Sequence, residues 1–270
     1  MVRSHQPRGA LESYVERFWY CSGYDGIRRQ ERVLPDGRFQ LVVSLSAAPL
    51  RAPGDTRAEL GRVGWFLVLG LRSRFTVIDT SMLQSAMGVV FRPGGARAFF
   101  DEPAAAFSNE SVPLEQVWGG GAGDLRERLG AARTVTEKFR VLEETLVRQI
   151  DQRRQLHGAV RYALREMTRG CAVPSVLDVA REAGLSRRRF AQLFREQVGF
   201  TPKLYCRLAR FQSVLRRIGG SARVDWADVA LAGGFCDQPH LVHEFREFSG
   251  ISPGTYLASQ RPAMNRVPME

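Results

Sequence analysis

Four polar side chains share one face of a predicted helix over residues 187–198. They are Arg187, Arg188, Gln192 and Arg195, and they lie opposite an apolar face whose residues recur at spacings of three and four. A guanidinium can donate two hydrogen bonds to O6 and N7 of guanine, and a glutamine amide can pair with N6 and N7 of adenine. The pattern therefore predicts a polar surface suited to nucleic acid.

No catalytic pattern accompanies this face. The chain lacks G-x-S-x-G, H-E-x-x-H and P-loop motifs, and it lacks a G-x-G-x-x-G followed by a helix. Asp36, Asp79 and His5 suggest no acid–base pair. The four cysteines are far apart and include no C-x-x-C pair, which predicts neither a disulfide framework nor a zinc site. We therefore expect a protein that is not an enzyme and that needs no cofactor.

Charge is distributed unevenly along the 270 residues, whose net charge is +11. Residues 1–150 contain 20 Lys/Arg and 17 Asp/Glu, a net of +3, whereas residues 151–270 contain 19 and 11, a net of +8. The length suggests about two domains. The asymmetry predicts a near-neutral sensing or structural part followed by a basic part that binds a polyanion.

No segment of the sequence predicts a membrane protein. The amino terminus lacks the apolar core of a signal peptide. The longest apolar stretch, Trp65–Leu71, is far too short to span a bilayer. We expect a cytoplasmic protein with reduced cysteines and no membrane partner.

Short strand-like runs fill the region from residue 33 to residue 91. A Pro-Asp-Gly turn at residues 35–37 precedes the apolar run Phe39–Leu45, and further runs cover residues 62–71, 74–80 and 85–91. Several short strands at this spacing favour an antiparallel sandwich or barrel. Residues 11–20 fit either a short helix or a strand.

The pattern becomes helical after residue 97. Asp124 is predicted to cap a helix that follows a glycine-rich break, and Thr134 or Thr136 is predicted to cap the next, which ends near Ile150. The apolar stripe of that second helix needs a covering surface. This surface is either a second copy of the chain, which would make a homodimer, or the chain's own β-rich part.

The most informative feature is an internal repeat in the carboxyl-terminal part. Asp178-Val179-Ala180 matches Asp228-Val229-Ala230 at an offset of 50, and Phe194-Arg195-Glu196 matches Phe245-Arg246-Glu247 at an offset of 51. Each copy predicts a helix, a turn at a glycine, a capping residue and a second helix. This order is typical of a helix-turn-helix. The first copy turns at Gly184 and is capped by Ser186.

In the second copy, Gly234 and Asp237 occupy the corresponding places. Between the copies, residues 202–218 are predicted to form one helix about 25 Å long. A helix of that length can hold two recognition helices about 34 Å apart, which is about one turn of DNA. One chain could then enter two successive major grooves.

The repeat resembles the arabinose-regulator (AraC/XylS) family of bacterial transcription factors over about Leu156–Tyr256. The resemblance rests on the double helix-turn-helix, on the G-F-x-D-Q-x-H-x-x-x-x-F run at Gly234–Phe245 and on the G-x-S-P-x-x-Y run at Gly250–Tyr256. Residues 34–37 and 91–95 also resemble an uncharacterised sensor-type domain found ahead of such modules. That second resemblance implies no particular ligand.

The family resemblance implies a role for individual residues in DNA binding. In the first copy the residues facing base edges would be Arg188, Ala191 and Gln192. In the second copy they would be Gln238, Pro239, Val242 and His243. Phosphate contacts would come from Arg187, Arg189, Lys203, Arg207 and the amides at the helix amino termini. Ala191 and Val242 can touch only a thymine methyl. Because Arg188 and Gln192 can each form two hydrogen bonds to a base, whereas Pro239 offers no backbone donor, the first copy is expected to read sequence more strongly.

Several of these residues have competing interpretations. A surface histidine without a role is a fair alternative for His243. Arg92 could offer its charge to an anionic ligand, and Trp65 could line a ligand cavity, although a strand end and a core position are the simpler interpretations. A DNA-repair methyl acceptor coupled to a helix-turn-helix regulator is a second functional class, with Cys21 as the acceptor. An effector-independent DNA-binding regulator is a third.

These observations predict an α+β protein with two domains. Residues 1–152 would form a β-rich effector or assembly domain, an antiparallel β barrel or sandwich with flanking helices. Residues 153–270 would form an all-α DNA-binding domain with two helix-turn-helix motifs. The expected partners are double-stranded DNA, a small-molecule effector, RNA polymerase and a second copy of the chain.

Overall fold

The computed structural model describes residues 2–23, 30–54, 63–80, 84–169, 176–219, 224–259 and 265–269. Eleven strands are found in these ranges: β1 Val2–His5, β2 Val15–Ser22, β3 Gln30–Val33, β4 Gln40–Ser44, β5 Leu50–Arg51, β6 Val63–Gly64, β7 Phe66–Leu69, β8 Thr76–Asp79, β9 Ser85–Phe91, β10 Ser111–Pro113 and β11 Arg266–Pro268. All of their pairings are antiparallel.

The strands form a sandwich. Its larger sheet has the order β1-β2-β9-β4-β7-β10, and smaller sheets have the orders β11-β3-β8 and β5-β6. The antiparallel sandwich predicted from the sequence is confirmed. Among the described residues the sheets remain open, so the barrel form of that prediction is not found. Residues 11–20 are mostly strand: β2 follows a short 3-10 helix at Gly9–Ser13.

Alternation along the strands gives the large sheet two different faces. On one face, Phe18, Leu41 and Val43 join the main hydrophobic core, which continues into the helices. On the other face, Trp19 and Val42 point into a cavity that the smaller sheets cover. The two-residue period therefore separates the packed core from the open interior of the sandwich.

Ten α-helices lie between β10 and β11 within the described residues: α1 Glu115–Trp118, α2 Gly121–Ala131, α3 Val135–Gln149, α4 Gly158–Arg169, α5 Val176–Glu182, α6 Arg187–Val198, α7 Pro202–Ile218, α8 Trp226–Ala232, α9 Gln238–Ser249 and α10 Pro253–Ala258. No helix that the structure describes is long and apolar enough to cross a membrane. The carboxyl-terminal part is helical, as predicted, except that its last described residues form β11, which pairs with β3.

One predicted helix start is wrong. Helix α2 begins at Gly121, three residues before Asp124, so Asp124 lies inside the first turn rather than at the cap. Its carboxylate is there close to the positive end of the helix dipole, which is a favourable place for an acidic residue. Of the two candidate caps for α3, Thr134 is confirmed: its hydroxyl accepts from the Glu137 amide, and the Glu137 carboxylate accepts from the Thr134 amide.

The apolar stripe of α3 is covered by the chain itself. Phe139 and Leu142 are buried, and the Phe139 ring stacks on His5 of β1 at 5.2 Å between ring centroids. The His5 ring also lies 3.1 Å from the Glu143 carboxylate. Of the two predicted covers, the structure therefore has the chain's own sandwich, and this stripe supplies no surface for a second copy.

Candidate nucleic-acid interface

The first helix-turn-helix is formed by α5 and α6. Gly184 takes a φ of 64°, a conformation that glycine adopts without strain, and the amide of Leu185 donates to the Ala180 carbonyl over 2.8 Å. Ser186 then caps α6, its hydroxyl accepting from the Arg189 amide over 3.2 Å. The tight turn and the cap fix the angle at which α6 leaves α5.

The second motif, formed by α8 and α9, repeats this geometry. Gly234 has a φ of 73°, and the Phe235 amide donates to the Ala230 carbonyl over 3.0 Å. Asp237 caps α9 by accepting from the His240 amide over 2.8 Å. The hydrogen bonds that close the two turns are thus 50 residues apart, as are the turn glycines. The internal repeat found in the sequence is a structural repeat.

Both second helices have one buried face and one polar face. In α6, Phe190 and Phe194 are fully buried, and in α9, Leu241 and Phe248 are fully buried. The predicted DNA-contacting residues that are exposed are Arg187, Arg188, Arg189, Gln192, Gln238, Pro239 and His243, whereas Ala191 and Val242 are half-buried. The exposed residues lie mainly on the first two turns of each helix, the part of a recognition helix that reaches base edges.

Helix α7 holds the two motifs together. Its 17 residues begin at Pro202 behind a Thr201 cap, and Lys203 is exposed in its first turn. Its buried Phe211 packs against Phe245 and Phe248 of α9, with ring centroids 5.2 and 5.1 Å apart. The helix is about 25 Å long and contacts α6, α8 and α9. It therefore acts as a common support for both reading helices.

Arg207 forms an ionic link between α7 and α9. Its Nε donates to Glu244 Oε1 over 2.8 Å, and its Nη2 donates to Glu247. The hydrogen bond with Glu247 raises the pKa of Arg207 above its usual value. The predicted phosphate contact of Arg207 stays a prediction. In the structure the guanidinium is bound by two carboxylates of its own chain, so a phosphate would compete with them.

Glu244 is the residue of this site that sequence reasoning missed. The apolar spacing along α9 does not include Glu244, but the structure buries it, with 5% of its surface exposed. Its carboxylate lies 3.6 Å from Arg210 Nη2 and 3.5 Å from His240 Nε2. The i,i+4 spacing of His240 and Glu244 was the available signal, but only the packing of α7 on α9 brings in the arginines.

Hydrogen bonds between described residues tie the amino-terminal sandwich to the helices of the DNA-binding motifs. The Ser108 hydroxyl donates to the Gly199 carbonyl at the end of α6 over 2.6 Å. The Phe75 amide donates to the Phe248 carbonyl near the end of α9 over 2.7 Å. The buried Gln212 amide of α7 donates to the Pro35 carbonyl over 2.6 Å. The sandwich therefore contacts α6, α7 and α9.

The turn at residues 35–37 packs against α7 and contains the acidic residue Asp36. The Asp36 carboxylate accepts from the Arg38 amide over 3.0 Å, and burial raises its pKa. Burial also raises the pKa of Tyr205 in α7. A Cβ on Gly37 would lie 3.4 Å from Leu208 and 3.7 Å from the Tyr205 ring, so the turn and α7 are in close contact.

The interior of the sandwich contains a cavity of about 470 Å³. Neither Arg92 nor Trp65, the two predicted ligand-binding residues, lies in its lining. Arg92 Nε donates to the Glu12 carbonyl on the surface, and Trp65 lies under the Arg126 guanidinium at 3.6 Å. The ligand-binding roles of Arg92 and Trp65 stay predictions.

The surroundings of Cys21 bear on the methyl-acceptor alternative. Cys21 is buried and lines the cavity, and burial raises the pKa of its thiol. A raised pKa disfavours the thiolate, which is the nucleophilic form. Among the residues that the structure describes, no group of three His, Cys, Asp or Glu side chains is placed to hold a metal ion.

Comparisons with known families match both parts of the chain. Residues 3–113 match the model of a domain of unknown function, DUF6597, and residues 179–259 match the model of a helix-turn-helix domain. The second match covers both capped motifs. No curated protein matches the sequence.

Several solved structures are similar. The DNA-binding domain of the global transcriptional factor AdpA, in complex with a target DNA, has 29% identity over 37% of this chain and 86% of its own, with a TM-score of 0.32. The C-terminal domain of the response regulator AraT from Geobacillus stearothermophilus has 15% identity over 40% and 91%, with a TM-score of 0.36. ToxT from Vibrio cholerae has 10% identity over 95% and 97%, with a TM-score of 0.44.

Proposed function

We propose that this chain, a DNA-binding transcription regulator with an AraC-type helix-turn-helix domain at residues 179–259, reads two successive major grooves of one duplex. One observation carries the proposal: α6 and α9 both expose the polar residues of their first turns, and both are packed on the single helix α7. A shared rigid support gives the two reading helices a defined separation. One chain can therefore recognise a site longer than a single groove.

Within α6, Arg188 and Gln192 have the strongest base chemistry. The Arg188 guanidinium suits guanine, and the Gln192 amide suits adenine. In the structure the Gln192 amide donates to Glu196 Oε1 over 2.8 Å, so base contact would exchange this hydrogen bond for one to DNA. Ala191 would add at most a contact to a thymine methyl.

Helix α9 offers less base chemistry. Gln238 and His243 can donate and accept hydrogen bonds, whereas Pro239 and Val242 can only make apolar contacts. We propose that α6 provides most of the sequence readout and that α9 extends the contact into the second groove. Arg187, Arg189 and Lys203, together with the amides at the helix amino termini, would bind phosphates.

We propose that residues 1–152 regulate residues 153–270 in response to a small molecule. The support is physical contact: the sandwich is hydrogen-bonded to Gly199, Gln212 and Phe248 on three helices of the DNA-binding part. A ligand that binds one arrangement of these contacts better than another would shift the population of DNA-competent molecules.

Other parts of the proposal concern location and partners. We propose that the chain works in the cytoplasm, forms a homodimer and contacts RNA polymerase. Because the stripe of α3 is covered within the chain, a dimer would use another surface. Sedimentation at micromolar concentration tests the dimer, and co-purification with polymerase on promoter DNA tests the second contact.

Selection of binding sites from random DNA, followed by hydroxyl-radical and methylation footprinting, tests the central proposal. We expect two protected major-groove segments on one face of the duplex, about one helical turn apart. A single protected groove would contradict it. Affinity should also fall steeply as salt rises, because neutralised phosphates release counterions. Binding that does not change with salt would refute the proposed phosphate contacts of Arg187, Arg189 and Lys203.

A further inference from the structure

The sandwich contacts α6 and α9 at equivalent points of the internal repeat. Gly199 caps the end of α6 and Gly250 caps the end of α9, and the two glycines are 51 residues apart, the offset of the second half of the repeat. The Ser108 hydroxyl donates to the Gly199 carbonyl over 2.6 Å, and the Phe75 amide donates to the Phe248 carbonyl over 2.7 Å. The same domain therefore holds both recognition helices at their carboxyl-terminal ends.

These contacts are close as well as equivalent. A Cβ on Gly199 would lie 3.2 Å from the Ser108 hydroxyl oxygen and 3.3 Å from the Ala104 carbonyl oxygen. A Cβ on Gly250 would lie 2.3 Å from the Phe75 ring. The two glycines have φ angles of 109° and 70°, which residues with a side chain rarely adopt. The sandwich therefore leaves no room for a side chain at the end of α9 and little at the end of α6.

The two contact points on the sandwich are joined to each other by Asn109. Its Oδ1 accepts from the Ser73 amide over 2.7 Å and from the Ser73 hydroxyl over 2.9 Å, and its own amide donates to the Leu71 carbonyl over 2.8 Å. Ser108 directly precedes Asn109 in the chain, and Phe75 follows two residues after the serine that Asn109 binds. A short path of covalent and hydrogen bonds thus connects the end of α6 to the end of α9.

The backbone of Asn109 supports a specific role for this residue. Its φ is 63°, and no other non-glycine residue that the structure describes has a positive φ. Asparagine adopts this conformation more readily than most residues, because its short amide can form local hydrogen bonds. A glycine would fit the same φ but would supply no acceptor for Ser73. The position therefore uses both the backbone conformation and the amide oxygen of asparagine.

The contact with the sandwich leaves the proposed DNA-reading residues exposed. Arg188 and Gln192 of α6 are exposed, and so are Gln238 and His243 of α9. All four lie nearer the amino-terminal ends of their helices than the contacts with the sandwich do. A contact that holds the far ends without covering the reading residues favours positioning over inhibition.

We propose that Ser73, Phe75, Ser108 and Asn109, which we call the bracket, set the separation of α6 and α9, with Asn109 as a positioning residue. The inference rests on the proposed function, because the bracket matters for DNA binding only if both helices read one duplex. Helix α7 is one connection between the two helices, and the bracket is a second. Two attachments restrict relative rotation more than one, so the bracket raises the effective concentration of α9 at the second groove once α6 is bound.

Binding to DNA of altered spacing tests the bracket in the full chain. Fluorescence anisotropy compares three duplexes: the selected site, the same site with one base pair inserted between its two major-groove segments, and a site in which the segment read by α9 is scrambled. In Asn109→Gly, affinity for the selected site should fall about fivefold, which corresponds to one neutral hydrogen bond. Affinity for the scrambled site should be unchanged, because α6 alone reads it. The preference for the selected spacing over the inserted spacing should therefore fall by about the same factor.

Control variants separate positioning from loss of structure. Asn109→Asp keeps an oxygen acceptor for Ser73 and should keep the spacing preference of the parent. Ser46→Ala is a matched control, because the Ser46 hydroxyl donates to the Ala48 carbonyl within a loop of the same sandwich, and it should leave the preference unchanged. Ser108→Ala interrupts the path at α6 and should lower the preference as well, and it serves the same test if Asn109→Gly does not fold. Because both substitutions interrupt one path, the double variant should lose no more than the more affected single variant.

The outcomes distinguish the bracket from the two-groove proposal. An unchanged spacing preference in Asn109→Gly, or additive losses in the double variant, would overturn the bracket and leave two-groove reading standing. Tighter binding of Asn109→Gly to the selected site would also overturn it, because the bracket would then hold the helices away from their DNA-reading arrangement. An equal loss on the scrambled site would show a general loss of structure and would overturn the positioning role. A parent chain that binds all three duplexes equally would refute two-groove reading and the bracket together.

Discussion

Arg207 offers a sharp test of how the two DNA-binding motifs are joined. The family resemblance implies that Arg207 contacts phosphate, whereas in the structure its guanidinium is bound by Glu244 and Glu247. Arg207→Met removes the charge and keeps most of the apolar stem. If Arg207 links α7 to α9, the variant should lose stability. If it contacts phosphate, the variant should lose DNA affinity alone.

The expected loss follows from burial. Glu244 has a side chain that is 7% exposed, and removing the partner of a buried charge costs about 3–5 kcal/mol. Glu247 is 47% exposed, so that pair adds at most about 1 kcal/mol. Arg210 and His240 stay within 3.6 Å of Glu244 and compensate in part. We therefore expect a loss of about 2–3 kcal/mol in the free energy of unfolding.

Urea denaturation followed by circular dichroism at 222 nm measures this loss. The double variant Arg207→Met/Glu244→Gln should recover part of it, because a neutral amide replaces the stranded carboxylate. Glu247→Gln is the matched control and should cost less than about 1 kcal/mol. An unchanged free energy of unfolding in Arg207→Met, together with a salt slope of DNA binding reduced by about one, would refute the link.

Three further predictions concern the two ends of α9 and the acidic residue of the turn at residues 35–37. Asp237→Ala should cost about 1 kcal/mol by removing the cap of α9, and Asp237→Asn, measured alongside by the same urea denaturation, should cost less. Gly250→Ala should destabilise the chain by more than about 1 kcal/mol, since φ is 70° and its Cβ would lie 2.3 Å from the Phe75 ring; a neutral effect in thermal unfolding would contradict this contact. Because burial raises the pKa of Asp36, ionising it costs folded-state stability: the cost is absent below the unfolded pKa and grows as pH rises to the folded pKa. Asp36→Asn should therefore gain relative to the parent as pH rises through that range, and a constant difference in urea midpoints would contradict the shift.

Local signals in the sequence predicted the DNA-binding part well. Turn glycines, capping residues and the spacing of apolar residues act within one or two turns of chain, and Gly184, Ser186, Gly234 and Asp237 all have their predicted roles. These features depend on backbone conformation and on hydrogen bonds between near neighbours. The same pattern of turn glycine, capping residue and apolar spacing occurs in both copies of the repeat, which strengthens the prediction of each.

Features that depend on distant contacts were not predicted. The strand β11 has three residues and contains Pro268, so its own pattern is weak, and it becomes a strand by pairing with β3. The burial of Glu244 depends on arginines from another helix. The cavity arises from how two sheets face each other. In each case the cause lies in tertiary packing, which residue spacing along one element does not encode.

The predicted start of α2 was wrong because a capping residue type does not by itself fix where a helix begins. Aspartate is a favoured capping residue, but Asp124 does not cap α2. The helix begins at Gly121, so glycines that precede Asp124 are part of it. The preceding helix α1 ends at Trp118, whose indole donates to the Phe99 carbonyl over 2.9 Å and stacks on Phe100. Helix α2 therefore begins three residues after an aromatic residue that packs on the core, a contact that the glycines and Asp124 do not encode.

Arg188→Ala gives the most direct test of DNA reading by the exposed face of α6. Affinity is measured for the selected site and for variants with each of the four base pairs at every position of the first groove, with Arg140→Ala as a control of equal charge change. We predict a loss of about 1–3 kcal/mol on the selected site and loss of discrimination at one base pair, with Arg140→Ala unchanged. An equal loss on every sequence, or none, would contradict base reading by Arg188.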